Sequence, residues 1–212
     1  MEGKLVVLEG PDGTGKTTQA KLLAEFLESK GFKVHMTKEP TNNSVGRAVR
    51  RNVRIETKID DPLLDALLFT ADRRSHLIEE IEPKLNEGFI VICDRYYHST
   101  LAYQHTQGLD LEWLVGLNSF ARRPDITLVF DLDAELLYKR LFSSFSRIMK
   151  DKSKDHWMHK FETREFLKRV RENYKKLQKR LSNENIFFID ASAKPPSIHK
   201  EVRKIVSKNL KI

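Results

Sequence analysis

A glycine-rich stretch close to the start of the chain limits the possible folds more than any other feature. Residues 10–18, GPDGTGKTT, fit the pattern G-x-x-x-x-G-K-[ST], in which backbone N–H groups of a tight turn surround phosphate oxygens and the lysine reaches the terminal phosphates. An apolar run, residues 4–9, precedes the stretch, and apolar residues at helical spacing follow it over 20–27. Because unpaired N–H groups at a helix N-terminus attract anions, we interpret the stretch as a phosphate-binding loop rather than an ordinary glycine-rich turn.

Five short apolar runs predict β-strands, and helical patterns separate them. The predicted strands are residues 4–9, 33–37, 89–93, 126–132 and 186–190. Their hydrophobicity is continuous rather than alternating, which is typical of strands covered on both faces, so we expect an α/β fold with a five-stranded parallel sheet flanked by helices. Ligands in such sheets bind beyond the carboxyl ends of the strands. The polar residues expected near those ends are Asp12, Glu39, Asp94 and Asp190.

The length of 212 residues suits one core domain, and we expect residues 1–212 to form a single domain without repeats or linkers. Pro195 and Pro196 predict a turn before a final helix over 197–209. The segment 143–160 is polar, basic and weakly periodic between two better helices. We therefore expect a mobile basic lid over about residues 141–163.

The charge is unevenly distributed along the chain. The formal net charge is +8, but residues 139–180 contain 15 Lys/Arg and 5 Asp/Glu, a net of +10, which leaves −2 for the other residues. A local cationic segment suits a flap that closes over nucleotide phosphates, although a solvated helix face is the ordinary interpretation of a charge run. We expect no nucleic-acid partner; a nucleic-acid-binding ATPase is the alternative, and it would bind DNA or RNA with a steep salt dependence.

Other features favour an intracellular setting and give no sign of a metal cluster. No stretch has the layout of a signal peptide or the length of a membrane span, so we expect a cytoplasmic protein that does not bind membranes. Cys93, the only cysteine, lies in an apolar run and is interpreted as a buried strand residue rather than a nucleophile. His156 and His159 are interpreted as surface histidines rather than metal ligands.

A second constellation follows the third predicted strand, in FIVICDRYYHSTLAYQ. Asp94 ends the strand, where its carboxylate can hold Mg²⁺ through the ion's water shell while Thr17 supplies a hydroxyl ligand. Arg95 follows directly, and its guanidinium can grip a second phosphate with two N–H groups. The chain has no N-K-x-D motif of the kind that reads guanine.

A third constellation is DALLFTADRRSHL, in which Phe69 and Arg73 are four residues apart and share one face of a helix. An aromatic ring can stack on a planar ligand, and a guanidinium can donate to a carbonyl at the ligand's edge. Periodicity alone equally favours Phe69 in the core and Arg73 at the surface.

These motifs resemble the thymidylate kinase (dTMP kinase) family, within the nucleoside monophosphate kinases. The resemblance runs through nearly the whole chain and rests on GPDGTGKTTQ, KEP, LLFTADR, DRYYHSTLAYQ, PDITLVFDLD and IDAS. It implies the P-loop NTPase fold, a homodimer, and Mg²⁺-assisted transfer of the γ-phosphoryl group of ATP to dTMP, giving dTDP and ADP. A kinase for deoxynucleosides or for dUMP is the main alternative among enzymes.

The resemblance also implies how the phosphates are bound. Arg95 and Arg50 would hold the phosphate of dTMP, and Thr17 and Asp94 would hold Mg²⁺. Lys16 and Arg95 are expected to act in catalysis. The residues expected to bind ATP are Gly10, Pro11, Asp12, Gly13, Thr14, Gly15, Lys16, Thr17 and Thr18.

The nucleoside of dTMP is expected to meet residues from three of these motifs. By resemblance, Phe69 would stack on thymine and Arg73 would bond its O4. Asp12 would contact the deoxyribose 3′-hydroxyl, and Tyr103 would pack where a ribose 2′-hydroxyl would project. The edge of the base would be lined by Thr100 and Gln104.

Two departures from the family pattern concern positive charge at the transferred phosphoryl group. One branch of the family carries Arg at the positions of Gly13 and Thr41, and the other carries a lid arginine where this chain has Lys160 in HKFE. We therefore expect the lid to supply the cation, from Arg147 or from Lys160. Arg147 is favoured, because a planar guanidinium suits phosphate better than an ammonium and no other arginine lies within 143–160.

Overall fold

The sheet of the computed structural model agrees with the predicted one. The structure describes residues 2–53, 61–148 and 163–212, with the backbone alone for 142–148. Five strands pair in parallel in the order β2-β3-β1-β4-β5, which puts β1, the strand before the phosphate loop, at the centre. The strands are β1 (Lys4–Glu9), β2 (Val34–Lys38), β3 (Ile90–Asp94), β4 (Ile126–Asp131) and β5 (Ile186–Asp190).

Helices cover both faces of the sheet in the described ranges. They are α1 (Lys16–Ser29), α2 (Ser44–Val53), α3 (Pro62–His76), α4 (Glu82–Asn86), α5 (Tyr97–Thr106), α6 (Leu111–Leu117), α7 (Ala134–Ile148), α8 (Arg164–Arg180) and α9 (Pro195–Leu210). A π-helical stretch, Leu77–Ile81, joins α3 to α4. None of the described helices is long and apolar enough to cross a bilayer.

The central strand shows why the apolar runs are continuous. Val6 and Leu8 of β1 pack into a core cluster with α1 and α9, while Leu5 and Val7 pack into a second cluster with α5 and α8. All four side chains are fully buried. Since successive side chains of a strand point to opposite faces, a sheet between two helical layers requires apolar residues at every position.

Two predictions from the sequence differ from the structure or concern residues that the structure does not describe. The predicted turn at Pro195 and Pro196 is wrong, because both prolines belong to the first turn of α9, where a missing N–H costs nothing. Of the predicted lid, residues 141–148 continue α7, and residues 149–162 lie outside the described residues.

One buried carboxylate joins the centre of the sheet to two helices. Glu9 ends β1 and is fully buried. Its Oε1 accepts from the backbone N–H groups of Tyr96 (2.8 Å) and Ser99 (3.1 Å) at the start of α5. Its Oε2 accepts from Ser99 Oγ (2.6 Å) and from the hydroxyl of Tyr174 on α8 (2.9 Å). A buried carboxylate is tolerated only when it is hydrogen-bonded, so these four donors fix β1, α5 and α8 together.

Tyr174→Phe should destabilise the fold, because it removes an O–H donor from the buried carboxylate of Glu9. The expected loss is about 1.5–3 kcal/mol in the free energy of unfolding, the usual value for a hydrogen bond to a charged group. Urea unfolding followed by circular dichroism measures it.

Tyr96→Phe is the matched control. Tyr96 is also fully buried, but its hydroxyl has no hydrogen-bond partner among the described residues. Its removal should leave the free energy of unfolding unchanged or slightly higher. Equal losses in the two variants would contradict the role given to the Glu9 contact.

Candidate active site

A cavity of about 630 Å³ opens beyond the carboxyl ends of β1, β2 and β3. Its walls come from the phosphate loop, the segment after β2, the start of α5, and single turns of α2, α3, α7 and α8. Asp12, Glu39 and Asp94 line it, as the strand pattern predicts. Asp190 also ends a strand, but β5 is an edge strand, and the Asp190 carboxylate accepts from the N–H of Ser192 outside the cavity lining.

The phosphate loop depends on glycine at two positions. Gly10 has φ +128°, and a Cβ there would lie 2.7 Å from the carbonyl oxygen of Phe130. Gly13 has φ +80°, and its Cβ would lie 3.1 Å from a methyl group of Leu141 on α7. Left-handed backbone is unfavourable for residues with a side chain. The loop conformation therefore disfavours an arginine at position 13.

Lys16 starts α1 and is folded back across the loop. Its Nζ donates to the carbonyl oxygen of Pro11 at 2.9 Å and lies 3.8 Å from Oδ1 of Asp12. Only 5% of the side chain is exposed. Burial, together with the nearby charge of Arg95, lowers the pKa of Lys16 to about 8. An anion bound at the loop would restore favourable surroundings for its charge.

Thr17 and Asp94 meet at one side of the loop. The Thr17 hydroxyl donates to Oδ2 of Asp94 at 2.8 Å, because β1 and β3 are neighbours and bring their carboxyl ends together. Hydroxyl and carboxylate oxygens are the ligand types that Mg²⁺ prefers. Within the described residues no group of three or more His, Cys, Asp or Glu could hold a metal. An ion here would take its remaining ligands from phosphates and water.

Arg95 adopts an unusual backbone conformation that directs it over the loop. Its φ is +73°, and its N–H donates to the carbonyl of Leu8 at 2.9 Å. Nη2 donates to Asp12 (2.6 Å) and Nη1 to Ser99 Oγ (3.1 Å). The guanidinium lies 5.5 Å from the ring centre of Tyr103 and holds the pKa of the Asp12 carboxyl well below its usual range. Strained backbone of this kind persists where surrounding contacts fix it, often at functional sites.

Phe69 and Arg73 occupy one face of α3, as their spacing predicts. Phe69 is half-buried and lines the cavity, whereas Arg73 is 1% exposed, so the interpretation with Arg73 at the surface is wrong. Nε and Nη2 of Arg73 donate to Oε2 of Glu39 at 3.0 and 2.7 Å. Nη1 donates to Oδ1 of Asn118 at 2.6 Å, and Nη2 also reaches Thr100 Oγ1 at 3.3 Å.

Sequence reasoning missed the clamp on Arg73, which consists of Glu39, Thr100 and Asn118. The sequence indicates Glu39 only as a polar residue at a strand end and gives no indication of Asn118. Because a buried guanidinium requires a counter-charge, a carboxylate after β2 was the one available signal for Glu39. Asn118 lies 45 residues from its partner and carries no sequence signal.

The other predicted substrate residues come together in the cavity. Arg50, Thr100, Tyr103 and Gln104 all line it. Nη1 of Arg50 donates to the carbonyl oxygen of Pro40 at 2.8 Å. Arg73 itself is not a lining residue; it lies behind Glu39 and Thr100, which are.

Some predicted residues have other positions. Gly10, Pro11 and Thr14 are not among the lining residues and instead shape the loop, where the Thr14 hydroxyl donates to the Pro11 carbonyl at 2.8 Å. The side chain of Arg147 and the whole of Lys160 lie outside the described residues.

Comparison with known proteins agrees with this arrangement. A family model described as thymidylate kinase matches residues 8–202. The chain belongs to the thymidylate kinase family. A probable thymidylate kinase of Pyrococcus horikoshii is 41% identical over 219 residues, which cover 99% of this chain and 98% of that protein. One from Thermococcus onnurineus is 42% identical over 212 residues, with 97% and 98% covered. A thymidylate kinase of Desulfotalea psychrophila is 41% identical over 161 residues, with 76% and 79% covered.

Membership in the thymidylate kinase family confirms the resemblance found in the sequence. The matched residues run from the end of β1 into α9 and so include the other four strands of the sheet and every described wall of the cavity. The P-loop NTPase fold expected from that resemblance agrees with the five-stranded parallel sheet flanked by helices.

The pKa of Lys16 can be measured directly. In protein with ¹³C-dimethylated lysines, a resonance that is missing in Lys16→Met should titrate near pH 8, since burial disfavours the charged amine. The α-amino group titrates in the same range, but its resonance remains in Lys16→Met. Added pyrophosphate should raise the pKa of Lys16, because an anion stabilises the charged form. A Lys16 resonance that titrates above pH 10 without pyrophosphate would contradict the buried position of Nζ.

Proposed function

We propose that the protein transfers the γ-phosphoryl group of ATP to dTMP, giving dTDP and ADP. The observation that carries this proposal is one cavity in which a phosphate loop with Lys16 faces Arg95, beside the aromatic wall of Phe69. Such a cavity offers a place for a donor phosphate, a place for an acceptor phosphate and a stacking surface for a base. The family of the chain supplies the type of reaction and ATP as the phosphoryl donor.

We infer that the donor phosphates bind on the loop before α1. Backbone N–H groups and the positive end of the helix dipole meet them there, and the Lys16 ammonium adds a full charge. Thr17 and Asp94, 2.8 Å apart, would hold Mg²⁺, which supplies charge neutralisation at the phosphates when bound. Phosphoryl transfer needs little from the protein beyond such positioning and charge stabilisation.

We infer that the acceptor binds beside the loop, along the part of the cavity lined by α2, α3 and α5. Arg95 and Arg50 would grip its phosphate, and Phe69 would stack on its pyrimidine ring. Arg73 makes four hydrogen bonds with described residues and lies behind Glu39 and Thr100. Its fifth N–H donor would reach O4 of the base only if these two lining side chains move aside when dTMP binds. Tyr103, which packs against Phe166 with ring centres 6.0 Å apart, would limit space near C2′ of the sugar.

Two arginines in the acceptor wall favour a nucleoside monophosphate over a nucleoside as acceptor. Within residues 2–53, 61–148 and 163–212, no carboxylate pairs with Arg50, and Arg95 pairs only with Asp12, so an acceptor phosphate would supply the anion that both guanidinium groups can bind. A nucleic-acid-binding ATPase can also stack bases on an aromatic ring, but its reaction does not require that ring inside the cavity of the phosphate loop, where Phe69 lies. For the cation at the γ-phosphoryl group we retain the lid, with Arg147 before Lys160, because the loop at Gly13 disfavours a side chain.

Steady-state assays of ADP release with dTMP, dUMP, dCMP, dGMP, dAMP and thymidine test the proposed function. The value of kcat/KM should be highest for dTMP and about 10- to 200-fold lower for dUMP, which lacks one methyl group. Purine nucleotides should be excluded by size, and dCMP by its amino group. Equal use of dCMP and dTMP, or efficient use of thymidine, would contradict the proposal.

Two lysine variants show whether the activity comes from this cavity. Lys16→Met removes the buried ammonium at the phosphates and should abolish turnover in folded protein. Lys21→Met, an exposed position on the same helix, should keep the wild-type rate. Substantial turnover in Lys16→Met would place the reaction elsewhere.

We also propose that the protein is a homodimer. Leu63 and Leu67 lie one turn apart on α3 and are 44% and 45% exposed, and Ile78 in the following π-helical stretch is 57% exposed. A second copy of the chain would cover this apolar strip. Sedimentation velocity should find a dimer that Leu67→Glu converts to monomers, and a monomeric wild-type protein would refute the proposal.

A further inference from the structure

A row of polar side chains leads from the cavity wall to a buried carboxylate on α3. Nε2 of Gln104 donates to Oε1 of Gln107 at 3.1 Å, and Nε2 of Gln107 points to Oδ2 of Asp65 at 3.5 Å. Nδ2 of Asn52 donates to the other oxygen, Oδ1 of Asp65, at 2.7 Å. Gln104 lines the cavity, whereas Gln107 and the fully buried Asp65 do not, so the row runs inward from the cavity wall.

The carboxylate determines which way both glutamine amides are turned. An amide can present either its NH₂ or its carbonyl to a neighbour, and the hydrogen-bond partners decide between them. Since an ionised carboxylate only accepts hydrogen bonds, Gln107 turns its NH₂ toward Asp65. The distance of 3.5 Å is long for a hydrogen bond, so the attraction between the carboxylate charge and the amide dipole favours this orientation of the amide. The carbonyl of Gln107 then faces Gln104, and Gln104 donates to it through its own NH₂.

The remaining end of the Gln104 amide is a carbonyl without a partner among the described residues. No described group donates to Oε1 of Gln104. This oxygen is not fully buried. Gln104 lines the cavity, so its oxygen remains accessible to a ligand there. Gln104 therefore presents a hydrogen-bond acceptor to a ligand in the cavity, while its NH₂ donor stays bonded to Gln107.

Resting on the proposed function, we propose that Asp65 and Gln107 are positioning residues that select the pyrimidine through the direction of the Gln104 amide. Thymine and uracil carry an N–H at N3 that donates to a carbonyl. Cytosine has a lone pair at N3 and would meet the Gln104 oxygen with two acceptors face to face. The row thus discriminates against dCMP at N3, independently of any contact that Arg73 makes at the neighbouring position of the ring.

Two variants free the amide without touching the cavity wall. Asp65→Asn keeps the shape of the side chain but can donate or accept, so Gln107 and Gln104 can both turn over. Gln107→Met keeps the length of the side chain and removes the partner of the Gln104 NH₂; Gln107 is only half-buried at the end of α5, so this variant tests the proposal even if Asp65→Asn does not fold.

The readout is the ratio of kcat/KM for dCMP to that for dTMP, with the ratio of dUMP to dTMP as internal control. The first ratio should rise about 10-fold in each folded variant, which corresponds to one hydrogen bond of ordinary strength. The second should stay at its wild-type value, because dUMP and dTMP share the N–H at N3. A merely structural loosening of the pocket would move both ratios.

The outcomes separate this proposal from the proposed function. A wild-type protein that prefers dTMP, with variants that keep the wild-type ratio of dCMP to dTMP, would overturn the role of Asp65 and Gln107 alone. Parallel changes in both ratios would also overturn it. A wild-type protein that phosphorylates neither dTMP nor dUMP would defeat the proposed function and this inference with it.

Discussion

The geometry of the cavity depends on the carboxylate of Glu9, buried at the end of the central strand. It binds two N–H groups at the start of α5 and the Ser99 hydroxyl, and Ser99 Oγ in turn accepts from Arg95. The residue after Glu9 opens the phosphate loop. One buried group therefore fixes both the loop expected to hold the donor phosphates and the arginine expected to hold the acceptor phosphate, and Tyr174 adds α8 to the same contact.

The segment after β2 is fixed in a similar way by buried charges on α3. Glu39 pairs with Arg73, while the N–H and the hydroxyl of Thr41 donate to Asp72 at 2.8 and 2.5 Å. Thr41 occupies the position where one branch of the family has an arginine, and in this chain both its N–H and its hydroxyl donate to Asp72. Buried ion pairs contribute little net stability. Those between α3 and the segment after β2 instead fix one arrangement of hydrogen-bond donors and acceptors in the cavity wall.

The sheet and the phosphate loop could be predicted because their signals are local. Continuous apolar runs marked all five strands, with ends displaced by at most one residue, and the spacing of Gly10 and Lys16 marked the loop. The clamp on Arg73 could not be predicted, since Glu39 and Asn118 reach it across 34 and 45 residues. The same holds for Gln107 and Asp65, 42 residues apart, because polar pairs of this kind leave no periodic pattern in a sequence.

The decisive measurement is a crystal structure of the protein with dTMP and ADP, because it shows whether one cavity holds both donor and acceptor. The proposed arrangement predicts ADP phosphates on the loop beside Lys16, the dTMP phosphate on Arg95, and the pyrimidine against Phe69 with N3 at the oxygen of Gln104. A dTMP molecule whose phosphate lies away from Arg95, or whose base lies outside the Phe69 wall, would contradict it.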